Sequence, residues 1–410
     1  MSNWIEASAV PRLLGPGSCV YVGGSANEPT ALVEAIIAAP ISAREVRFIQ
    51  QPLPVNTQDF SALHETASQE TYFATPALKG GLASGRVRFV PMQMRAIFDH
   101  IASSKIDVAL LGAARDLDGV IRYGPNVDYV EAALAAAKTV IVEVSNAYVA
   151  SAGAPTVDAS SVKLVASDSP RTHFPLTEPD ALSKQIGNHI AALIRDGDCL
   201  QTGIGAVPAA ILAGLTDKND LGFHGGLIDD GVVTLARNGN LTSAAKPIDT
   251  GLHISGMALG TAEMHAWLET AREFVFRGAN YTHEVGVIRQ IPQFVSINSA
   301  VEVDLMGQIN AEVVGGRQIS GTGGSVDFMR ASKASPGGRS VVAMSATAQR
   351  GQSSRIVRRV SVVTALRTDV DLVVTEYGVA DLRSASLAER AEQLIAIAHP
   401  DFRDELRESL

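Results

Sequence analysis

The clearest indication of the fold is the segment Gly17-Ser-Cys-Val-Tyr-Val-Gly23-Gly-Ser-Ala-Asn-Glu-Pro-Thr-Ala-Leu32. A second stretch repeats its pattern and reads Gly197-Asp-Cys-Leu-Gln-Thr-Gly203-Ile-Gly-Ala-Val-Pro-Ala-Ala-Ile-Leu212. Each predicts a turn, a short buried strand, a glycine-rich bend and a helix with Pro29 or Pro208 near its first turn. Two α/β halves with related openings are the economical explanation, and chance similarity of two strand–glycine–helix units is the alternative.

Short apolar strands alternate with alanine-rich helices in the rest of the chain. The predicted strands are Asp107–Gly112, Thr139–Val144, Ser340–Ser345, Val360–Ala365 and Val370–Thr375, and the predicted helices are Val130–Ala137, Asp180–Arg195 and Leu387–Ala398. This alternation predicts an α/β fold of two similar domains, with mostly parallel sheets flanked by helices. Ser167–Thr177 contains two prolines and is the predicted linker, which gives domains at residues 1–175 and 176–410.

Composition excludes several classes of protein. The chain has 410 residues, enough for roughly two to three domains of about 150 residues. Hydrophobic residues make up 46% and charged residues 19%, which excludes a disordered chain and a disulfide miniprotein. The net charge of −9, without a dense Lys/Arg block, argues against nucleic acid as a partner. Anionic small molecules stay open, because backbone dipoles can bind them.

Neither a membrane nor a metal is expected as a partner. Met1–Pro11 lacks a basic region followed by an apolar core, and the longest apolar runs, such as Val108–Ala114, have the length of strands. We therefore expect a cytoplasmic protein. Cys19 and Cys199 show no metal-ligand spacing and no disulfide framework. Both fall inside predicted strands, so we expect buried, unreactive thiols.

Three glycine stretches of the second half are candidate ligand sites. Gly203-Ile-Gly205 lies between a strand and a helix, where unpaired N–H groups can hold a phosphate or an oxyanion, although a tight turn alone explains it as well. Gly315–Gly324 leaves a bare backbone before a helix predicted to begin near Ser325. Gly222–Gly231 contains His224, a candidate general base or a structural histidine. No glycine fingerprint followed by an acid about 20 residues later supports a dinucleotide enzyme.

Several segments together resemble one family. The matching segments are Gly24-Ser-Ala-Asn-Glu28-Pro29-Thr-Ala-Leu, Tyr123-Gly-Pro-Asn-Val-Asp128-Tyr129, Gln201-Thr-Gly-Ile-Gly-Ala-Val-Pro208, Val295-Ser-Ile-Asn298-Ser-Ala-Val-Glu302-Val-Asp304-Leu-Met-Gly307-Gln, Ser320-Gly-Thr-Gly-Gly-Ser-Val-Asp327-Phe-Met-Arg330 and Val374-Thr-Glu376-Tyr377-Gly378-Val-Ala-Asp381-Leu-Arg383. In this order they resemble the family I CoA-transferases, in particular the acetyl-CoA hydrolase/transferase branch that includes 4-hydroxybutyrate CoA-transferase.

The resemblance implies a fold, a substrate and a mechanism. It implies two α/β domains of similar topology that form homodimers or homotetramers, and a glutamate that attacks the acyl-CoA thioester before a small carboxylate acceptor takes the CoA. Coenzyme A enters as a substrate, and no metal is implied. The implied oxyanion donors are Gly324 and Ile204. The predicted CoA contacts are Gly203, Gly205, Val207, Gly226, Gly321, Gly323, Gly324 and Asp327.

The chain departs from this family at the nucleophile. The family has a His-Ser/Thr-Glu-Met stretch ahead of Asp-Gly, where this chain has His224-Gly-Gly226-Leu ahead of Asp230-Gly. Gly226 therefore stands in the place of the glutamate and cannot form the anhydride. Where the family often has Tyr-Thr-Asn, this chain has Tyr281-Thr-His283, and His283 could hydrogen-bond a carbonyl or act as a base.

Three mechanisms remain open from the sequence. Asp229, Asp230 or Glu28 could replace the lost carboxylate, although attack geometry tolerates errors of only about 1 Å. The protein could instead be a hydrolase or lyase of CoA thioesters, with His283 or His224 as base and Gly226 widening the pocket for a bulkier acyl group. It could finally be a CoA-ester binder or regulatory protein without catalysis.

Overall fold

The computed structural model describes residues 3–176 and 178–410, so Thr177, the last residue of the predicted linker, lies outside the described residues. The strands are β1 Cys19–Val22, β2 Arg47–Ile49, β3 Ser68–Thr71, β4 Val87–Phe89, β5 Ile106–Arg115, β6 Ile121–Tyr123, β7 Ala137–Val149, β8 Lys163–Ser167, β9 Cys199–Gln201, β10 Gly222–Phe223, β11 Leu227–Ile228, β12 His253–Ser255, β13 Met257–Ala258, β14 Phe274–Phe276, β15 Phe294–Ser299, β16 Glu302–Asp304, β17 Ile309–Asn310, β18 Val313–Val314, β19 Arg317–Gln318, β20 Arg339–Ala343, β21 Thr347–Ala348, β22 Ser353–Ser354, β23 Ile356–Val357, β24 Leu372–Thr375 and β25 Gly378–Asp381.

The α-helices are α1 Thr30–Ile37, α2 Lys79–Ser84, α3 Met94–Ser103, α4 Val130–Ala136, α5 Ala181–Ala191, α6 Ala206–Ala213, α7 Asp230–Arg237, α8 Ala262–Leu268, α9 Ala279–Thr282, α10 Val285–Ile288, α11 Ser325–Ala334, α12 Leu387–Ala396 and α13 Arg403–Glu408. The 3₁₀ segments are Ala7–Leu13, Ser25–Asn27, Pro40–Ala43, Phe60–Ala62, Pro76–Leu78, Gln349–Gly351 and Pro400–Phe402. No helix of the described residues is long and apolar enough to cross a membrane.

The chain divides into two compact units. Unit 1 comprises Met1–Phe174 and Ser255–Tyr281, and unit 2 comprises Pro175–Ile254 and Thr282–Leu410. Residues 255–281 lie inside the segment that the sequence assigns to the C-terminal domain, yet they belong to unit 1. Unit 1 is therefore built from two separated parts of the sequence, and unit 2 is as well.

Unit 1 is built on an eight-stranded sheet in the order β4-β3-β2-β1-β5-β7-β8, with β6 paired to β5. All neighbours run parallel except β6, which is antiparallel to β5. In the register, Val20 of β1 stands between Phe48 of β2 and Val108 of β5. These side chains are buried in one cluster with Leu32 and Ile36 of α1, so the helix that follows β1 covers the sheet.

Unit 2 contains a six-stranded sheet in the order β10-β9-β15-β20-β24-β25. The first five strands run parallel, and β25 is antiparallel to β24. Helix α11 packs against β15 and β20, and α12 packs against β25. Both units are therefore α/β layers with mainly parallel sheets and helices, as the sequence predicts.

The two related openings form the predicted elements. Both give a strand, a glycine bend and a helix, and Cys19 and Cys199 are buried free thiols as expected. The helices begin at different distances from their strands, because Ser25–Asn27 forms a 3₁₀ turn and delays the start of α1. In the second opening α6 begins directly after Gly205, so Pro208 lies inside its first turn.

One predicted strand is wrong, and one helix is shorter than predicted. In Val360–Ala365 only Ala365 forms a β-bridge, to Ile309. Val362 and Val363 are exposed, so the β-branched composition of this run does not reflect pairing within a sheet. Helix α5 begins after Asp180, whose side chain accepts a hydrogen bond from the Ser183 N–H, but it ends before the predicted boundary, and single helical turns continue the pattern.

Candidate active site

The strand order of unit 2 reverses at β9. The chain leaves β9 for β10 on one side, and β15 pairs with the other side of β9. In open parallel sheets, ligands bind outside the carboxyl ends of the strands at such a switch point. At this edge the side chains of Gln201 and Asn298, from β9 and β15, hydrogen-bond each other, with 3.1 Å from Asn298 Nδ2 to Gln201 Oε1. The carboxyl ends of β9 and β15 are therefore a candidate ligand site.

The first glycine bend follows β9 at this edge. Gly205 has a φ of +118°, which favours glycine, and it forms the N-cap of α6. Ile204 between the two glycines is 45% exposed, although isoleucine is usually buried. A Cβ added at Gly203 or Gly205 would meet no atom within 4 Å. The peptide groups of this bend are therefore open to a ligand, while Val207 is part of α6 and half-buried.

The long glycine stretch separates into two parts with different roles. Gly315 and Gly316 form the two-residue turn of the β18–β19 hairpin, both with positive φ, so they are a structural turn. Gly321 and Gly323 lead into α11, and Gly324 is the N-cap of that helix. The N–H groups of its first turn have no partners within the helix, so this helix end favours negative charge.

Asp327 lies in the first turn of α11 and is buried. The predicted CoA contacts thus fall on two helix starts, those of α6 and α11, and on Gly226 in the bend before β11. Gly226 and Gly324, at the start of α11, both contact one side chain from a third segment, that of His283.

The imidazole of His283 lies against both Gly226 and Gly324. A Cβ added at Gly226 would stand 3.1 Å from Cε1 and Nε2 of the ring, and a Cβ added at Gly324 would overlap Nε2 and Cδ2. The ring also packs on Phe328 of α11, with ring centroids 4.4 Å apart. The space beside Gly226 is therefore filled by imidazole, and the glycine does not widen a pocket there.

His283 is 1% exposed, and burial lowers its pKa to about 3. A buried imidazole without a nearby carboxylate loses hydration when it becomes charged, so the neutral form is favoured near neutral pH. Its Nδ1 lies 2.8 Å from the hydroxyl oxygen of Thr282. The side chain is thus a neutral ring held at one nitrogen, with the other nitrogen directed at the two glycines.

A second histidine, His224, contacts the backbone of the Thr282–His283 segment. His224 is fully buried, and its Nε2 lies 3.2 Å from the backbone carbonyl oxygen of Thr282. The ring of His224 packs edge-on against Phe294, with centroids 6.4 Å apart. His224 therefore holds the Thr282–His283 segment in place, and this geometry favours its structural interpretation over the role of a base.

Asp229 caps the start of helix α7 in unit 2. Its Oδ1 accepts hydrogen bonds of 3.1 Å from the N–H groups of Gly231 and Val232, which makes it the N-cap of α7. Burial raises the pKa of its carboxyl to about 6, and the neighbouring charge of Asp230 adds to that shift. A carboxylate that accepts two backbone hydrogen bonds at a helix start already has a structural role.

Glu28 belongs to unit 1, at the carboxyl edge of that unit's sheet. Its Oε2 accepts a 2.7 Å hydrogen bond from Nε2 of Gln50, and burial raises the pKa of its carboxyl. It lines a cavity of about 20 Å³ together with Glu143 and Tyr148, which is space for one water molecule. Glu28 is therefore a buried, hydrogen-bonded carboxyl of unit 1.

Three polar or aromatic residues of functional interest are not among the candidates that the sequence predicts. Thr282 holds the His283 ring, and Phe328 supports it from α11. Both lie inside motifs quoted from the sequence, and their position next to candidate residues was the one feature that pointed to them.

The third residue is Asp128 of unit 1. It is 1% exposed, neither of its carboxyl oxygens has a hydrogen-bond partner in the described chain, and burial raises its pKa to about 8.

Comparison with known proteins decides the family. The acetyl-CoA hydrolase/transferase N-terminal domain matches residues 2–168, and the C-terminal domain of the same family matches residues 260–410. The 4-hydroxybutyrate coenzyme A transferase of Clostridium kluyveri is 35% identical over 82% of this chain and 80% of that protein. The chain belongs to the acetyl-CoA hydrolase/transferase family.

Full-length relatives agree with this membership. The succinyl-CoA:cyclohexane-1-carboxylate CoA transferase of Geobacter metallireducens is 33% identical over 99% of this chain and 93% of its own length. The crystal structure of RipA from Yersinia pestis superimposes with a TM-score of 0.91, at 29% identity, over 99% of this chain and 96% of that one. The resemblance stated from the motifs is confirmed, and the chain is an enzyme of the CoA-transferase and acyl-CoA hydrolase type by family.

Within this acetyl-CoA hydrolase/transferase chain, residues 169–259 lie between the two matched domains. That segment contains the first glycine bend, Gly226 and Asp229. Among the described residues, no group of three or more His, Cys, Asp or Glu side chains is placed to hold a metal ion. Gly226 and His283, the two positions at which the sequence predicts a departure from the family pattern, both belong to unit 2.

Proposed function

We propose that this member of the family hydrolyses acyl-CoA thioesters with water as the nucleophile. The observation that carries the proposal is the pairing of Gly226 with His283: the position resembling that of the family glutamate has no side chain, and an imidazole fills the adjoining space. Without a carboxylate at that position, the glutamyl anhydride and the glutamyl-CoA thioester cannot form there.

The proposed reaction balances with water alone. The oxygen of water attacks the carbonyl carbon, a C–O bond forms, and a tetrahedral oxyanion results. The C–S bond then breaks, and CoA leaves as the thiolate. One proton of water passes to the thiolate and the other to solvent, which yields CoA and a carboxylate. The backbone N–H groups of Gly324 and Ile204 are the proposed donors to the oxyanion.

The proposed binding mode places coenzyme A at the carboxyl edge of the unit 2 sheet. The open bend at Gly203 and Gly205 and the helix start after Gly324 support it, because both offer N–H groups to an anionic or carbonyl oxygen. The acyl-CoA is a substrate in this proposal, and a small carboxylate is the product rather than an obligatory acceptor. A homodimer or homotetramer is proposed from the family resemblance.

The test measures the release of CoA with a thiol-reactive dye. A panel of acyl-CoAs is offered alone and again with acetate or succinate as acceptor. The proposal predicts release without an acceptor, at a rate that the carboxylate does not raise. Release that requires the carboxylate would show a transferase and contradict the proposal. Tight binding of acyl-CoA in calorimetry without any release would show a binder and contradict it equally.

A further inference from the structure

We propose, on the basis of the proposed hydrolysis, that His283 is a catalytic residue that donates its Nε2–H to the carbonyl oxygen of the thioester, and that Thr282 is the positioning residue that keeps the proton on Nε2. His283, which the sequence offered as a possible general base, thus acts in this proposal as a neutral hydrogen-bond donor. The chain would supply this donor in addition to backbone amides.

The position of the ring supports the first part. Nε2 is the ring atom nearest to Gly324, the proposed backbone donor to the oxyanion, and it is also close to Gly226. The ring packs on Phe328, so its plane is fixed. Because neither glycine has a side chain, only backbone atoms lie against this edge of the ring. The ring is 1% exposed, so the proposal requires the backbone at the two glycines to move when a carbonyl oxygen reaches Nε2.

The hydrogen bond at the other nitrogen supports the second part. The hydroxyl of Thr282 lies 2.8 Å from Nδ1, and a hydroxyl can donate to an unprotonated ring nitrogen. When Nδ1 accepts that proton, the neutral ring carries its own proton on Nε2. The hydrogen bond from His224 to the carbonyl oxygen of Thr282 fixes the backbone of that residue and therefore the direction of its hydroxyl.

The surroundings favour a neutral donor over a base. Within unit 2 the ring is in contact with Gly226, Gly324, Phe328 and Thr282, and none of these is charged. Burial lowers the pKa of His283, and neither Glu284, the next residue in the chain, nor Asp327, Arg330 or Lys333, the charged residues of α11, contributes to that shift. A base must become an imidazolium during the reaction, and burial opposes that charge, whereas a neutral donor needs no such charge.

Substitutions at His283 separate the donor from the base. In His283→Gln the amide nitrogen reaches the place of Nε2 and donates a hydrogen bond, but glutamine cannot act as a base. His283→Leu keeps the volume and removes the donor. The proposal predicts that Gln keeps the hydrolysis rate within about tenfold, while Leu lowers it by about 100-fold or more with unchanged affinity for CoA. Equal loss in both variants would overturn the proposal.

A spectroscopic test does not depend on activity and so separates this inference from the proposed function. The full chain is labelled with ¹⁵N-histidine, and the signals of His283 are assigned by their loss in His283→Gln. The proposal predicts a neutral His283 ring protonated at Nε2 near neutral pH. The Thr282→Ser variant should keep this tautomer, whereas Thr282→Val should show a mixture of the Nε2–H and Nδ1–H tautomers. A ring protonated at Nδ1, or an imidazolium, would overturn it even if hydrolysis is observed.

Discussion

The imidazole of His283 occupies the space beside the bare α-carbon of Gly226. A side chain at residue 226 would begin 3.1 Å from the ring, closer than most real Cβ contacts, so a larger residue at this position must push the His283 ring aside. The absence of a carboxylate at one residue and the presence of an imidazole at the other therefore form one structural feature. This feature is the basis of the proposed hydrolysis by water.

The first prediction concerns the restoration of the family nucleophile. Gly226→Glu alone should destabilise the fold, because its Cβ presses on the His283 ring, and should show little transferase activity. The double variant Gly226→Glu with His283→Asn should gain acceptor-dependent CoA transfer and a thioester adduct that borohydride traps.

The matched control is Gly225→Glu with His283→Asn. A side chain at Gly225 would meet Phe223 and Gln201 instead of His283. This control should yield no trapped adduct. If the Gly226 double variant is folded and also yields none, residue 226 does not occupy the place of the nucleophile.

The second prediction concerns the glycine at the start of α11. Gly324→Ala should lower both turnover and melting temperature, because the added methyl group would overlap the His283 ring. We expect a loss of activity of about 100-fold, the usual effect of removing one oxyanion donor or its alignment. Gly80→Ala is the control, since a Cβ there meets nothing within 4 Å. An active Gly324→Ala enzyme with an unchanged melting temperature would refute the assigned position of the ring.

The third prediction separates a structural carboxylate from a nucleophile. Asp229→Asn should keep both activity and stability, because the amide oxygen can still cap α7. Asp229→Ala should cost about 1 kcal/mol of stability through the lost cap. Stability is measured by chemical denaturation and activity by CoA release. An Asn variant that is as stable as the parent but inactive would identify Asp229 as the nucleophile after all.

The fourth prediction concerns the buried carboxyl of Asp128 in unit 1. Its pKa is about 8 in the fold, against an ordinary value of 3.8 for an aspartate, so the unfolded chain loses this proton first as the pH rises. Stability therefore falls through this window by up to about 1.4 kcal/mol per pH unit and levels off above the folded pKa. Asp128→Asn cannot ionise, so its melting temperature relative to the parent should rise from pH 5 to pH 8.

The control for that comparison is Asp217→Asn, at an exposed carboxylate. Its melting temperature relative to the parent should not change with pH in the same window. A pH dependence of Asp128→Asn identical to that of the parent would show that Asp128 is ionised in the folded state and meets polar partners.

Much of the fold could be predicted because it rests on local signals. The two openings, the buried cysteines and the start of α11 follow from glycine, proline and apolar patterns that act over a few residues. Val360–Ala365 shows the limit of such signals, because its β-branched residues find no neighbouring strand. The assignment of residues 255–281 to unit 1 depends on tertiary packing, for which the local pattern holds no signal.

The site was predictable only in part for the same reason. The motifs placed Gly226, Gly324 and His283 among the candidates, but they come from three separate segments of unit 2. Only the folded chain shows that the ring of His283 fills the space beside both glycines. The supporting contacts of Thr282 and Phe328 depend on the orientation of side chains, which residue type and spacing alone do not determine.

A single turnover in ¹⁸O-labelled water, with the mass of the intact enzyme measured during the reaction, tests whether water is the nucleophile. If it is, an acyl-CoA is hydrolysed without acceptor, the released carboxylic acid carries one labelled oxygen, and the enzyme never gains the mass of CoA. An enzyme-bound CoA or acyl adduct that forms and decays at the rate of turnover would contradict water as the direct nucleophile.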